Sequence, residues 1–317
     1  MTTQSKPGKK LYIQEVAPRD GFQNEKLFIE TEDKIAFIDR LSAAGYAKIE
    51  VTSFTSPKAI PALRDAEIVM HRIQRNPDVV YTVLVPNVRG AQRALECNVD
   101  EVNLVMSVSE THNQANLRMT RAQSLDQLAD VISAVRGSRV DINVSLSTVF
   151  GCPMEGDIDP YQVFELVGRF AALGAHGVTL CDTTGMAYPS QVARIARETR
   201  KLFPDLTLTL HFHNTRGMAL ANTMAALDEG VDRFDASLGG LGGCPYAPGA
   251  SGNACTEELV HMLNLMGYDT GIDVQQLLDI GAALPTMVGH DVPSQLLKAG
   301  PRSRLHPAPT QGAPKQA

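Results

Sequence analysis

Residues 177–213 read GVTLCDTTGMAYPSQVARIARETRKLFPDLTLTLHFH, and this stretch is the best guide to the fold class. Two short apolar runs, at 177–182 and 206–213, flank a longer segment at 189–203 that has a helical pattern. Short runs that are almost continuously apolar are typical of parallel strands buried on both faces. The stretch therefore predicts one strand–helix–strand unit of a parallel sheet.

The same alternation of strand and helix continues along most of the chain. Six more apolar runs are predicted as strands, at 11–16, 47–52, 79–85, 100–106, 140–148 and 232–237. Helical segments are predicted between strands, at 31–44, 88–97, 121–137, 160–173 and 216–229. An open doubly wound sheet gives the same alternation, but a total of eight strands favours a closed TIM-type (β/α)8 barrel. Helical patterns from about residue 255 onward predict a last barrel helix and an extra C-terminal helical element.

Glycine and serine residues mark several of the predicted helix ends. Gly45, Gly137 and Gly174 each follow a helical pattern, as is typical of helix C-termini. Ser124 precedes the pattern LDQLADVISAVRG and is predicted as a helix N-cap.

The bulk composition is that of a globular protein and points away from nucleic acid and membranes as partners. The chain has 317 residues, 20% of them charged, and a net charge of −6, whereas nucleic-acid binders usually carry a clear basic patch. No apolar run approaches the ~20 residues of a membrane span, and no signal peptide is expected. The five cysteines form no CxxC pair, so we expect no zinc knuckle or disulfide framework and a reducing cytoplasm.

The predicted domain organisation is a single barrel between two tails. The barrel is expected over residues 11–299. The ends, at 1–10 and 300–317, are rich in Pro, Gln, Lys and Gly and are predicted to be disordered.

A divalent-cation site is predicted at the C-terminal ends of the strands, where barrel enzymes carry their chemistry. His211 and His213 are two apart on strand seven, so both imidazoles project from the same face. Asp20 follows strand one, a near neighbour of strand seven around an eight-strand ring. Two imidazoles and a carboxylate with open positions suit Mg, Mn, Fe or Zn. Arg19 is either part of this site or half of a solvated surface ion pair.

Two further carboxylates allow a functional and a structural interpretation. Glu50 lies in the apolar run IEVTSF, where a carboxylate is costly unless it is paired, so it is either a site residue or is neutralised by a structural Arg. Asp182 ends strand six and is either a site residue or the cap of a turn.

The segment 239–253 after strand eight contains six glycines, a composition that suits a mobile lid that excludes water. It lacks the GK[ST] ending of a Walker P-loop. Cys244 is either a reactive thiol near a cation or an arginine, or a small buried residue. Asn253 is either a fourth, oxygen ligand of the cation or a helix N-cap.

Seven motifs together resemble the 3-hydroxy-3-methylglutaryl-CoA lyase family, within the barrel metallolyases and Claisen-type synthases that share an Arg-Asp start. The motifs are APRDGFQNEK (17–26), IEVTSFTSPK (49–58), VPN (85–87), GCPMEG (151–156), LCDTTG (180–185), HFHNTRGMALAN (211–222) and GGLGGCPYAPGASGN (239–253). The resemblance runs from about residue 11 to residue 285, and the cysteine segment is its most specific part.

The resemblance implies a role for each matching residue. Asp20, His211, His213 and Asn253 would bind a divalent cation, most simply Mg or Mn. Arg19 would lie at the thioester carbonyl, and Cys244 would be a mobile thiol in proton transfer. Glu50 and Asp182 match acidic positions in or beside the site, and Asn24 and Lys26 match positions near the CoA moiety. The implied reaction cleaves 3-hydroxy-3-methylglutaryl-CoA to acetyl-CoA and acetoacetate in leucine breakdown, in a homodimer.

The segment HFHNTRGM (211–218) departs from the family's typical HCHDTYGQ. Asn214 replaces an acid, Arg216 a tyrosine and Met218 a glutamine, and such changes beside ligands alter orientation and local pKa values. The acyl group therefore stays open, and a lyase for another 3-hydroxy-acyl-CoA, such as citramalyl-CoA, fits equally well. A condensing synthase fits less well because it would lack the cysteine segment. A non-catalytic barrel that binds metal or acyl-CoA is the alternative outside enzymes.

Overall fold

Eight parallel strands close into a barrel in the computed structural model, which describes residues 8–243 and 252–307. The strands are β1 (Tyr12–Glu15), β2 (Lys48–Ser53), β3 (Val80–Leu84), β4 (Glu101–Ser107), β5 (Asp141–Ser147), β6 (Gly177–Asp182), β7 (Thr207–Phe212) and β8 (Arg233–Ala236). Each strand pairs with the next, and β8 pairs with β1 from Tyr12↔Arg233 to Glu15↔Ala236, which closes the ring. The predicted TIM-type barrel is confirmed, and the open doubly wound alternative is excluded.

Helices surround the barrel and follow the strands in chain order. They are α1 (Thr31–Ser42), α2 (Ala66–Arg72), α3 (Val88–Glu96), α4 (Glu110–Leu117), α5 (Arg121–Val135), α6 (Pro160–Leu173), α7 (Pro189–Leu202), α8 (Ala219–Asp228), α9 (Thr256–Leu265), α10 (Val274–Gly281), α11 (Leu284–Val288) and α12 (Gln295–Ala299). Helix α9 follows β8 as the last barrel helix, and α10–α12 form the extra C-terminal element. Helices α2 and α4 were not predicted, because seven or eight residues carry too little periodic pattern.

The predicted cap at Ser124 is wrong. Helix α5 starts at Arg121 after the N-cap Thr120, whose side chain accepts the Gln123 N–H while the Gln123 side chain accepts the Thr120 N–H. This reciprocal capping box satisfies two donors and therefore sets the helix start one turn earlier. Ser124 is instead buried, and its hydroxyl accepts a hydrogen bond from Asn113.

Gly45 and Gly174 lie after their helices with positive φ, as predicted. Their φ angles are +92° and +101°, a region that side chains rarely adopt. A Cβ at Gly45 would also lie 2.3 Å from the Gly271 carbonyl oxygen, so the segment before β2 and the segment before α10 can pack together only through glycine.

The interior of the barrel is polar, whereas the apolar core lies between the strands and the helices. Branched apolar residues usually fill such an interior. Here Asn103 on β4 accepts hydrogen bonds from Asn143 (3.0 Å) and Ser145 (2.8 Å), and Asn143 also donates to Thr179 (2.9 Å). Polar groups therefore lead from the middle of the barrel to its mouth.

The described parts of both predicted tails carry some local structure. Gly8 donates its N–H to the Gly267 carbonyl, and Lys10 forms a parallel bridge with Asp269. Arg304 donates its N–H to the Pro301 carbonyl in a turn. Residues 1–7 and 308–317 lie outside the described ranges. None of the helices in the described ranges is long and apolar enough to cross a bilayer.

Candidate active site

A single π-helical turn, Ala17–Gly21, follows β1 and carries Arg19 and Asp20. The N–H groups of Asp20 and Gly21 both point to the Val16 carbonyl, at 2.7 and 3.3 Å, which winds the chain more widely than an α-helix. Both side chains lie at the barrel mouth and are nearly buried, with 8% and 9% of Arg19 and Asp20 exposed. Arg19 and Asp20 are thus not a solvated surface pair.

Arg19 lies between two carboxylates. Its Nε and Nη2 contact Glu50 Oε2 at 2.6 and 2.5 Å, and its Nη1 donates to Asp20 Oδ1 at 2.6 Å. Burial works against a charged guanidinium, but the charges of Glu50 and Asp20 outweigh it, so the pKa of Arg19 is raised. Burial would raise the pKa of Asp20, but the Arg19 charge, together with His211, His213 and the Asn253 hydrogen bond, lowers the pKa of that carboxyl. Arg19 and Asp20 are therefore both ionised.

Glu50 is fully engaged by its neighbours. Its Oε2 accepts from Arg19, and its Oε1 accepts the Asn103 side-chain amide at 2.8 Å. Burial raises the pKa of Glu50, although Arg19 opposes the shift. The interpretation of Glu50 as an inward carboxylate neutralised by an arginine therefore agrees with the geometry, and that arginine itself lies at the mouth of the barrel.

Asp20, His211 and His213 come together at the mouth. One possible ligand atom from each lies within 4.8 Å of the others. The alternation of β7 puts both imidazoles on the inner face, and the bridge between His213 and Asn253 brings the end of the glycine-rich segment alongside. Burial and the neighbouring His211 lower the pKa of His213 to about 3, so it is the neutral imidazole, the form that binds metals.

Orphaned buried atoms show that this cluster fits a cation. The Asn253 side-chain nitrogen faces three acceptors, Asp20 Oδ2 (2.8 Å), the Leu241 carbonyl (2.8 Å) and the Gly242 carbonyl (3.4 Å). Its Oδ1 and the Nδ1 of His213 are buried without a hydrogen-bond partner among the described residues. Buried acceptors are costly unless satisfied, and a divalent cation would satisfy such atoms. Asn253 is not a helix N-cap, because Cys255 holds that position for α9.

His211 has a carboxylate behind it. Its Nδ1 lies 3.2 Å from Oδ2 of Asp235 on β8, and the two residues are register partners across the β7–β8 pair. Burial alone would lower the pKa of His211, but the hydrogen bond and charge of Asp235 raise it.

Asp182 ends β6 and uses only one of its oxygens in the local turn. Oδ1 accepts the N–H groups of Met186 (2.7 Å) and Ala187 (3.1 Å). Oδ2 is buried with no partner among the described residues. Burial raises the pKa of Asp182 to about 6, although both N–H groups oppose the shift. Asp182 is therefore the cap of a turn and also a carboxyl poised to take up a proton.

Of the residues that depart from the family motif, Arg216 lies beside the turn that Asp182 caps. Arg216 donates from Nη1 to the carbonyls of Thr184 (3.1 Å) and Gly185 (2.9 Å), so it braces the turn after β6. Asn214 donates its N–H to the Gly252 carbonyl and accepts the Ala219 N–H on its side chain.

The predicted CoA-contacting residues lie at the rim of the mouth. Asn24 and Lys26 are exposed, and Asn24 donates to the Gly243 carbonyl at 3.0 Å. Cys244 lies outside the described residues. The residues on either side of Cys244 approach each other closely, because a Cβ on Gly252 would lie 1.7 Å from the Gly240 carbonyl oxygen. Glycine is required there for that close approach.

Three polar residues of the site were not predicted: Gln23, Asn103 and Asp235. Gln23 donates to Asp20 Oδ1 at 2.9 Å. Asn103 lies between Val102 and Leu104 on β4, so the cost of burying a polar group would have pointed to it. Asp235 lies in the largely polar run DRFDAS, where no such signal exists.

Comparisons with known proteins agree with this arrangement. The family model HMGL-like matches residues 10–284. The chain is 46% identical over 290 residues to a hydroxymethylglutaryl-CoA lyase of Bacillus subtilis, covering 92% of this chain and 97% of the relative. It is 39% identical over 299 residues to an (R)-citramalyl-CoA lyase of Chloroflexus aurantiacus, covering 91% and 94%. A solved HMG-CoA lyase of Acinetobacter baumannii, in complex with coenzyme A and 3-methylmalate, superposes with a TM-score of 0.91 at 50% identity, covering 98% and 100%.

Proposed function

The chain belongs to the HMGL-like family, and from this we propose that it is a carbon–carbon lyase that cleaves 3-hydroxy-3-methylglutaryl-CoA to acetyl-CoA and acetoacetate. One structural observation supports the proposal independently of the similarity to known lyases. Arg19, a permanent cation, shares Asp20 with the cluster that fits a divalent cation. A thioester oxygen and a substrate hydroxyl can therefore be held side by side at one mouth.

The reaction needs three events, and it is redox-neutral. The 3-hydroxyl loses a proton, the bond between C2 and C3 breaks, and the electrons of that bond form a thioester enolate that is then protonated to acetyl-CoA. A cation held by Asp20, His211, His213 and Asn253 would supply Lewis-acid polarisation of the substrate oxygens.

Arg19 stabilises the developing enolate in this proposal. Its guanidinium is preorganised by Glu50 and Asp20, so little reorganisation is needed as negative charge appears on the thioester oxygen. Glu50 acts through Arg19, because both of its oxygens already accept hydrogen bonds.

Asp182 takes the hydroxyl proton in this proposal. Its Oδ2 has no partner among the described residues, and its pKa of about 6 suits a base that works near neutral pH. Cys244, on the matching motif, is proposed to protonate the enolate, and Asn24 and Lys26 are proposed to contact CoA at the rim.

An (R)-citramalyl-CoA lyase is the second candidate function. A relative with that activity in its name is 39% identical, and a solved relative at 50% identity carries 3-methylmalate, whose four-carbon backbone is one carbon shorter than that of 3-methylglutarate. Arg216, beside the turn of Asp182, and Asn214, just before α8, are where we propose that the acyl pocket differs.

A panel assay separates these functions. Purified enzyme with Mg²⁺ or Mn²⁺ is given 3-hydroxy-3-methylglutaryl-CoA, citramalyl-CoA and 3-hydroxybutyryl-CoA, and acetyl-CoA and the keto product are quantified. We expect the highest kcat/KM with the first substrate. A preference for citramalyl-CoA would favour the second candidate, and no turnover of any thioester would favour the non-catalytic barrel. The metal identity, the cytoplasmic location, the role in leucine breakdown and the homodimer stay predictions.

A further inference from the structure

Asp235 contacts His211 but is not itself one of the three candidate metal ligands, Asp20, His211 and His213. It lies on β8, where its Cα is the register partner of His211 on β7 and of Gln14 on β1. Its Oδ2 is 3.2 Å from His211 Nδ1, with 12% and 9% of the Asp235 and His211 side chains exposed. The contact is therefore shielded inside the barrel mouth, where a charged hydrogen bond is stronger than in water.

The contact sets which ring nitrogen of His211 is available. A carboxylate only accepts hydrogen bonds, so Nδ1 must carry the proton that is shared with Asp235. In a neutral imidazole, Nε2 then holds the free lone pair. His211 can contribute to the cluster with Asp20 and His213 through that nitrogen.

Asp235 has no other side-chain hydrogen-bond partner recorded among the described residues. Glu50 differs, since it is held by both Arg19 and Asn103, and so does Glu15, which accepts from three segments. Asp235 is half-buried, and its one side-chain hydrogen bond goes to a candidate ligand rather than across several segments, so we attribute its position to that ligand.

We propose that Asp235 is a positioning residue, which fixes the ring of His211 and holds its proton on Nδ1 so that Nε2 ligates a divalent cation. The inference rests on the proposed metal site. Carboxylates behind ligand histidines orient the ring and raise its basicity, and their loss typically weakens metal binding by about 10–100-fold.

The test measures metal affinity rather than turnover. Metal-free full-length enzyme is titrated with Mn²⁺, and free Mn²⁺ is followed by electron paramagnetic resonance, for the wild type, Asp235→Ala and Asp235→Asn. We expect Asp235→Ala to raise the Kd about 10–100-fold. The Kd of Asp235→Asn should lie between those of the wild type and Asp235→Ala, because the amide oxygen still accepts the Nδ1 proton but carries no charge.

Asp232→Asn is the matched control, since it removes one negative charge from the turn just before β8, on a side chain that is 41% exposed. Its Mn²⁺ affinity should equal that of the wild type. The melting temperature of each metal-free variant checks that the barrel is intact. If the wild type binds Mn²⁺ and Asp235→Ala binds it equally well, the role of Asp235 is refuted while the metal site stands. If the wild type binds no Mn²⁺, the metal site and this inference both fail.

Discussion

Arg19 is oriented by contacts on opposite edges of its guanidinium. Glu50 occupies the Nε–Nη2 edge and Asp20 contacts Nη1. A planar group held in this way presents its remaining N–H donors in a fixed direction, which a lysine ammonium cannot reproduce.

Replacing Arg19 with methionine is expected to lower kcat by about 10²–10³-fold while KM changes little, because the charge acts mainly on the enolate-like transition state. Arg19→Lys should recover only part of the loss. Steady-state kinetics with 3-hydroxy-3-methylglutaryl-CoA provide the measurement, and unchanged turnover in Arg19→Met would eliminate this role.

From the raised pKa of Asp182 we predict that kcat/KM falls at low pH, which gives the pH profile an acid limb. A base with a pKa of about 6 is protonated as the pH falls through that value, so activity should fall below about pH 6 and level off above it. Asp182→Asn should lower kcat by about 10²–10⁴-fold and abolish that limb. Asn keeps an oxygen for the N–H groups of Met186 and Ala187, so the turn should survive. An acid limb that persists in the variant would assign it to another group.

The residues that could be found from sequence were those whose type is unusual for their place. Two histidines on one face of a strand and a carboxylate in an apolar run are such cases, and the structure brings His211, His213 and Asp20 together. Contacts such as Asp235 to His211 depend on the register between neighbouring strands, which a single sequence does not encode locally. The ligand and catalytic roles themselves stay predictions.

At the scale of the elements, Glu15 joins three separate segments at the end of β1. Its carboxylate accepts the Ala17 N–H, the Leu238 N–H and the Thr256 hydroxyl, each at 2.9 Å. These donors belong to the π-helical turn, the residues after β8 and the first turn of α9. Glu257 on α9 adds to the cluster by accepting the Gly239 N–H. Both carboxyls are buried.

Burial raises the pKa of both Glu15 and Glu257 from 4.5 to about 7. The folded state therefore binds more protons than the unfolded state between those values, so the free energy of unfolding should decrease as the pH rises from about 4.5 to about 7. Each proton contributes at most about 1.4 kcal/mol per pH unit.

Urea unfolding of the metal-free protein at several pH values measures this slope. Glu15→Gln should make it shallower, and Glu96→Gln, an exposed position at the end of α3, should leave it unchanged. A slope that is the same in Glu15→Gln as in the wild type would contradict the prediction.

The elements that sequence patterns predicted well are the long or strongly apolar ones. All eight strands were found, with ends within one residue of those observed. The sequence patterns did not predict the short helices α2 and α4 or the N-cap at Thr120. The start of α5 is set by the hydrogen bonds between Thr120 and Gln123, which a periodic apolar pattern does not reveal.

At the scale of the whole molecule, the cation should stabilise the fold because its candidate ligands come together only in the folded chain. Mn²⁺ at a free concentration of 100 Kd would add about 2.7 kcal/mol to the free energy of unfolding. The melting temperature should therefore rise by several degrees on adding Mn²⁺ and return when a chelator is added.

His213→Ala should abolish this rise in melting temperature and the stoichiometric metal found by elemental analysis. His306→Ala, on an exposed residue near the end of the described chain, should keep both. Full metal content in purified His213→Ala would show that His213 is not a ligand.

The pairing of β8 with β1 has a consequence for synthesis on the ribosome. Asp20 is made early, whereas His211, His213 and Asn253 emerge only after about two thirds or more of the chain has been translated. A nascent chain therefore holds one isolated carboxylate for most of its elongation and cannot recruit the cation to guide its early folding. If these four residues bind the cation, it can load only after residue 253 has been made, and a premature stop codon before that residue would yield a polypeptide without a complete site.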